Sequence, residues 1–381
     1  MLQRAERPIR VLHLYKTAPP EDIGGVGVCI ANITATTAPQ GVQHRVLVTT
    51  RESSSRIERW ACGTEVFFCP QNFSFASLPF SLEMLRQFRR LSEWADIVQF
   101  HHPFPVQDLL HLFQRKRRYR SIVTYHSDVV RQKITGAVYA LLNRPFLQSV
   151  DRVVATSQNY IDSSPVLQRF LTKTQVIHLG LNPEGLEHVP SQRMTDLEAK
   201  LGRGFFLFLG ALRYYKGLTF LVDAARQTGL PLVIAGKGEL EGELRAQAAG
   251  ASNIRFITDV DEVDKWALLS LASVFVFPSH LRSEAFGISL LEAQIAKLPL
   301  ITCELGTGTS FVNSDRQTGL VIPPANSKAL AQSMLDLADN PTQRKIFGEA
   351  GHQRFHELFT SRVMGEAYLK LYSDLAGKLL S

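Results

Sequence analysis

Residues 278–293 read Pro-Ser-His-Leu-Arg-Ser-Glu-Ala-Phe-Gly-Ile-Ser-Leu-Leu-Glu-Ala. Two acids, Glu284 and Glu292, bracket seven residues, and Gly287 stands between them. An apolar run, residues 272–277, precedes them and is closed by Pro278. This order predicts a buried strand, a short loop, and a helix that opens near Phe286. A glycine at such an opening lets backbone N–H groups come close to a ligand, and those groups together with the helix dipole suit a phosphate. If all the steps from Glu284 to Glu292 were helical, the rise would be roughly 12 Å. That is too far for the acid and nucleophile of a glycosidase, which need about 5–9 Å. The two acids are therefore expected to grip different parts of one long ligand. Taken alone, they fit a helix with an acidic start and one solvated glutamate better than a site, and it is the flanking pattern that reverses the weighing.

Working outward, the second half alternates strand and helix patterns. Residues 205–209, 230–235, 253–257, 274–277 and 299–302 read as strands. Helical patterns at 218–227, 240–249, 265–271, 288–296 and 328–338 lie between or after them. The first half does the same, with strands expected at 9–15, 44–49, 97–100, 121–125 and 152–156 and a helical run at 28–36. Residues 73–91 mix apolar and basic side chains and suggest a partly amphipathic helix. Such alternation implies α/β architecture with two parallel, doubly wound sheets. The polar segment 182–204 looks like a linker.

The pattern Pro-Ser-x4-Glu-x-Phe-Gly-x3-Leu-Glu-Ala resembles the Glu-x7-Glu motif of retaining glycosyltransferases of family 4. That resemblance implies the GT-B fold, with two Rossmann-like domains facing across a cleft. The expected domains are residues 1–180 on the acceptor side, 181–360 for the nucleotide sugar, and 361–381 as a helix crossing back to the first. It implies that Glu284 contacts the donor sugar and Glu292 the ribose hydroxyls, with Phe286, Gly287 and Ile288 around the donor. Residues 210–217, Gly-Ala-Leu-Arg-Tyr-Tyr-Lys-Gly, resemble the family's diphosphate-binding segment. Lys216 matches it directly. Ala211 stands where an Arg is usual, and Arg213 is the expected substitute. Gly24, Gly25 and Val26 match the glycine loop, and His126 in Tyr-His-Ser-Asp matches a histidine near the donor sugar, with Asp128 a candidate to orient it. His101 and His102 are candidates for the acceptor side. Gly236 and Gly238 resemble the Gly-x-Gly segment near the nucleotide, residues 306–310 resemble a sugar- or diphosphate-side loop, and Val260 is expected at the base pocket.

Two other motifs are set aside. Asp259-Val-Asp261 imitates a metal-binding pair, but it is expected to start a helix, with Asp264 as a candidate cap. No metal and no cofactor is expected. Gly236-x-Gly238 lacks the third glycine of a dinucleotide fingerprint, since Glu241 occupies that position.

The 381 residues suffice for two or three domains. Residues 1–180 hold 22 Lys+Arg and 13 Asp+Glu, a balance of +9, and the remainder holds 20 and 22, a balance of −2, which together give the chain's +7. The basic first half, densest at Arg115–Arg120, could face an anionic membrane surface or nucleic acid, and the family resemblance favours the membrane over nucleic acid. No run is long and apolar enough to span a bilayer, and the N-terminus lacks an apolar signal core. The expected location is cytoplasmic, peripheral at the inner face of the membrane. Four cysteines without Cys-x-x-Cys spacing are expected to be thiols. The expected activity is a hexosyl transfer with GDP-mannose as the favoured donor and a saccharide or lipid-linked saccharide as acceptor, in cell-surface polysaccharide synthesis. A UDP-hexose donor is the nearest alternative, and a sugar-nucleotide epimerase or hydrolase on the same fold is the rival chemistry.

Overall fold

The strands form where β-branched and aromatic residues run almost unbroken, the pattern of a parallel sheet covered on both faces. In the computed structural model described here, residues 7–21, 24–75, 78–114, 116–128, 133–184 and 189–380 are described. The chain divides into two compact units. One comprises Met1–Thr156, Ser164–Gly180 and Ser361–Ser381, and the other Ser157–Ser163 and Leu181–Thr360.

In the first unit the strands are β1 (Ile9–Leu14), β2 (Val42–Thr50), β3 (Arg56–Arg59), β4 (Glu65–Pro70), the separate hairpin β5 (Phe73–Phe75) and β6 (Leu78–Phe80), then β7 (Ile97–His102), β8 (Arg120–Tyr125), β9 (Arg152–Ala155) and β10 (Thr174–Val176). The main sheet runs in the order β10-β9-β8-β7-β1-β2-β4-β3. Only β3 pairs antiparallel, against β4. The order reverses direction between β1 and β7, which makes that gap the sheet's topological switch point. Helix Gly25–Thr37 follows β1. Helix Ser361–Leu380 returns to this unit, where Tyr372 Oη donates to Gln99 Oε1 at 2.5 Å and Tyr368 Oη meets Thr124 Oγ1 at 3.1 Å.

The second unit's sheet holds β11 (Phe206–Leu209), β12 (Leu232–Ala235), β13 (Ile254–Ile257), β14 (Val274–Phe277), β15 (Leu300–Cys303) and β16 (Gly319–Ile322). Its order is β13-β12-β11-β14-β15-β16, with every pair parallel. Here the switch point lies between β11 and β14. Two parallel doubly wound sheets are what the alternating pattern implied.

Several local expectations are corrected. The stretch 73–91 is not one helix: the hairpin comes first, and the helix Leu82–Trp94 starts only after Ser81, whose Oγ accepts from Met84 N at 3.1 Å. The supposed linker contains the helix Ser191–Leu201. The helix expected from residue 265 starts at Glu262 and is capped by Asp261, whose carboxylate accepts from Asp264 N at 2.7 Å; Asp264 instead pairs with Arg193. All four cysteines are free thiols.

Candidate active site

Every loop that follows a strand of a parallel sheet emerges at its carboxyl edge, and the switch point opens a crevice there. In the second unit the loop after β11 carries Arg213 and Lys216, and the loop after the adjacent β14 carries Glu284. The neighbouring strands bring these distant segments together: Lys216 Nζ and Glu284 Oε2 form an ion pair, and both side chains are nearly buried. Ser279 Oγ donates to the same carboxylate oxygen at 3.1 Å. The Lys216 ammonium also lies 4.5 Å from the centroid of the Phe277 ring. Beside this pair, burial and the Glu284 charge push the Tyr215 phenol up to about 12.

Two glycines hold this arrangement. Gly217 is left-handed at φ +67°, and a Cβ there would come within 2.1 Å of the Pro278 carbonyl oxygen. Gly287, at φ +88°, caps the helix Ile288–Ile295 and packs on Phe277, where an added Cβ would lie 3.0 Å from the ring. Glu284 therefore lies in the loop ahead of the helix. Phe286 is buried, and Ile288 opens the first turn.

Glu292 faces a different cation. Lys265 Nζ, from the helix after β13, sits 2.7 Å from Glu292 Oε1 and 2.6 Å from Glu262 Oε2. Burial raises the Glu292 carboxyl above the usual carboxylate range, and Lys265 opposes that rise. Burial also works against the Lys265 ammonium, but its two carboxylate partners outweigh it and leave its pKa raised. The two acids of the motif thus hold separate lysines on separate loops. Lys265 and Ser279 are partners that the sequence reading did not single out. Ser279 is the Ser of the Pro-Ser pair, so a signal existed for it. Nothing in the spacing pointed to Lys265.

The loop after β15 clasps the Glu284 segment. Thr307 Oγ1 donates to Glu284 O at 2.8 Å, and Gly308 N donates to Ala285 O at 2.7 Å. Arg282 Nη1 donates to Ser163 Oγ at 2.9 Å and to Leu305 O at 3.0 Å. The glycines after β12 have a packing reason of their own. A Cβ at Gly236 would meet Gly210 O at 2.1 Å, and one at Gly238 would meet Leu212 O at 2.4 Å, so these glycines let the loops after β11 and β12 touch. Arg213 is exposed, with no hydrogen bond or ion pair to its side chain among the described residues. Val260 is half-buried after β13, and Asp259 pairs with Lys237. Among the described residues no three His, Cys, Asp or Glu side chains gather closely enough to hold a metal ion.

In the first unit Gly24 caps the helix after β1, with Gly25 exposed and Val26 half-buried in the opening turn. His126 follows β8, and its Nε2 lies 3.0 Å from His101 Nδ1. Its partner is thus a histidine, while Asp128 accepts from Tyr125 Oη at 2.9 Å. His101 and His102 are both fully buried, so neither lines an open surface; His102 stacks on Tyr125 with centroids 4.2 Å apart.

The comparisons with known proteins bear on the family and the fold. Residues 23–184 match the family described as Glycosyltransferase Family 4, and residues 192–354 match Glycosyl transferases group 1. The chain is 44% identical over 369 residues to O-antigen chain mannosyltransferase C of Escherichia coli, covering 96% of this chain and 99% of that protein. It is 43% identical over 355 residues to a D-rhamnosyltransferase of Pseudomonas aeruginosa, covering 93% of each. Among solved structures, a sucrose-phosphate synthase from Thermosynechococcus elongatus superposes with a TM-score of 0.81 at 18% identity, over 97% of this chain and all of that one.

Proposed function

The chain belongs to glycosyltransferase family 4, and from that membership we propose that it transfers a mannose-type hexose from a GDP-linked donor, with retention of configuration, to a saccharide or lipid-linked saccharide. The fold is GT-B and the activity is that of a glycosyltransferase. The choice of sugar rests on the two similar proteins named for mannosyl and D-rhamnosyl transfer. D-rhamnose is 6-deoxy-D-mannose, so both names share one ring configuration.

The observation that carries the site reading is the Lys216–Glu284 pair at the switch point of the second unit's sheet. Lys216, with Arg213 beside it, takes the donor diphosphate and stabilises the departing phosphate oxygens, the largest kind of contribution such a site makes. Glu284, released from Lys216 as the phosphate arrives, is left near the sugar. Glu292, beside Lys265, accepts from the ribose hydroxyls. Gly24, Gly25 and Val26 lie under the donor phosphates and sugar, where larger side chains at the two glycines would obstruct, and His126 contacts the sugar. Gly236, Gly238, Val260, Phe286, Gly287 and Ile288 frame the nucleotide and sugar. The glycosidic carbon–oxygen bond breaks, the leaving diphosphate keeps the electron pair and takes the acceptor's proton, and the new bond forms on the same face. No covalent nucleophile is needed.

The acceptor is proposed to lie at a membrane surface. The attachment proposed is peripheral; no helix among the described residues is long and apolar enough to cross a bilayer. Phe113 and Leu141 are 77% and 78% exposed on the first unit, close in sequence to Lys116, Arg118 and Arg144. Apolar side chains beside cations suit an anionic bilayer. Of the basic stretch, Arg120 is bound to Asp151 and Arg117 to His111, while Arg115 lies outside the described residues.

Screening GDP-mannose, GDP-D-rhamnose, UDP-glucose and UDP-N-acetylglucosamine for binding, and for transfer to membrane extracts, tests this reading. Transfer from a GDP-linked mannose-type sugar with an α-configured product supports it. A UDP-linked donor, an inverted anomer, or an altered sugar nucleotide without transfer overturns the corresponding part.

A further inference from the structure

Four buried histidines of the first unit form one hydrogen-bonded row. His126 Nε2 lies 3.0 Å from His101 Nδ1, His101 Nε2 lies 3.2 Å from His13 Nδ1, and His13 Nε2 lies 3.1 Å from His44 Nδ1. His44 Nε2 lies 2.7 Å from Thr37 Oγ1, which lies 2.7 Å from Ile33 O. The row runs from the residue after β8 across β7, β1 and β2, in their order in the sheet, and ends on the last residue of the helix Gly25–Thr37. Neighbouring rings lie 5.2–5.5 Å apart, centroid to centroid.

One hydroxyl fixes the polarity of the whole row. The Ile33 carbonyl has no hydrogen to give, so the 2.7 Å oxygen–oxygen contact requires that Thr37 donate to it. Thr37 then has only lone pairs left for His44, and His44 Nε2 must carry the hydrogen. Burial holds all four rings below the ordinary histidine range, to about 3 for His13 and His126, so each is neutral and carries one N–H. With its hydrogen on Nε2, His44 presents a bare Nδ1, to which His13 Nε2 donates. The same step repeats through His101 to His126. Every ring is the Nε2–H tautomer, and the row ends at His126 Nδ1, an unprotonated acceptor with no partner among the described residues.

We propose that Thr37, His44, His13 and His101 are positioning residues that fix His126 as a hydrogen-bond acceptor at Nδ1, so that it meets a hydroxyl of the donor sugar and not the diphosphate. A bare nitrogen repels phosphate oxygens and accepts from a hydroxyl. The inference relies on the proposed function only for the ligand; the tautomer belongs to the protein by itself.

The test is nitrogen-15 NMR of the full chain labelled at histidine, at pH 7.5 and without ligand, with His126→Gln used to assign the His126 signals. The expected spectrum has His126 Nδ1 unprotonated and Nε2 protonated. Thr37→Val keeps the shape and removes the hydroxyl, so that His44 Nε2–H would face a methyl group. The row is then expected to reverse, and His126 Nδ1 to become protonated; Thr37→Ser is expected to restore the original tautomer. In transfer assays Thr37→Val should lower kcat/KM for the donor about tenfold, the scale of one misdirected hydrogen bond, with Thr37→Ser near wild type. A protonated Nδ1 in the wild type, or an unchanged tautomer in Thr37→Val, overturns the row. The expected spectra combined with unchanged donor kinetics in Thr37→Val leave the row standing but overturn the sugar contact.

Discussion

The two units treat buried polarity in opposite ways. In the second, charge is kept and paired: Glu284 with Lys216, and Glu292 with Lys265. In the first, charge is absent: four imidazoles lie in a row, each held neutral by burial, and only hydrogen bonds connect them. A paired charge can be exchanged for a ligand's charge, since an arriving diphosphate can take the lysine from the glutamate. A neutral row offers direction instead, presenting one lone pair where a hydroxyl can meet it.

The comparison breaks most visibly in acid. The four histidines of the row titrate near 6.5 when unfolded and well below that when folded, to about 3 for His13 and His126. Between those values the unfolded chain binds more protons, so stability is full above about 6.5 and falls as pH drops. Each group contributes about 1.4 kcal/mol per pH unit. Urea unfolding followed by circular dichroism should therefore show stability falling between pH 6.5 and 5, more steeply than one such group alone can make it fall. A flat profile there would mean that the row is hydrated or already charged. Next in size, Glu284→Gln should keep the fold and lower transfer about a hundred- to thousandfold, the scale of one lost transition-state contact in a water-poor site. Transfer within twofold of wild type would remove Glu284 from the chemistry. Lys216→Ala should weaken GDP binding by about ten- to a hundredfold, as one charge-assisted hydrogen bond is lost. Arg213→Ala should weaken it less, because Arg213 is exposed and unanchored. The smallest effect expected is structural. Gly217→Ala, which forces a Cβ against the Pro278 carbonyl at a left-handed φ, should cost about 1–3 kcal/mol and lower the melting temperature by several degrees. Gly242→Ala, with open space around it, should not.

The fold was legible because buried parallel strands such as Phe206–Leu209 and Val274–Phe277 are continuous apolar runs, and the helices between them keep their own period. What escaped notice had the wrong texture. Strand β3 is charged and lies at a sheet edge, the hairpin at Phe73–Phe80 is rich in the apolar residues of a helix face, and the helix Ser191–Leu201 is mostly polar. For the candidate site, the acid pair and the family resemblance singled out Glu284, Glu292 and Lys216, and Lys216 adjoins Gly217, a glycine that the chain needs for close approach. Lys265 and the histidine row left no such trace. His13, His44, His101 and His126 are scattered over more than a hundred residues, and only the strand order β8-β7-β1-β2 makes them neighbours.

The most direct test of the site reading is calorimetric titration of GDP-mannose into the wild type, Lys216→Ala and Glu284→Gln at neutral pH and moderate salt. The account predicts saturable binding to the wild type, loss of at least about tenfold in affinity for Lys216→Ala, and a smaller change for Glu284→Gln, whose main defect is in transfer. No binding of GDP-mannose to the wild type, or equal affinity in the wild type and Lys216→Ala, would contradict it.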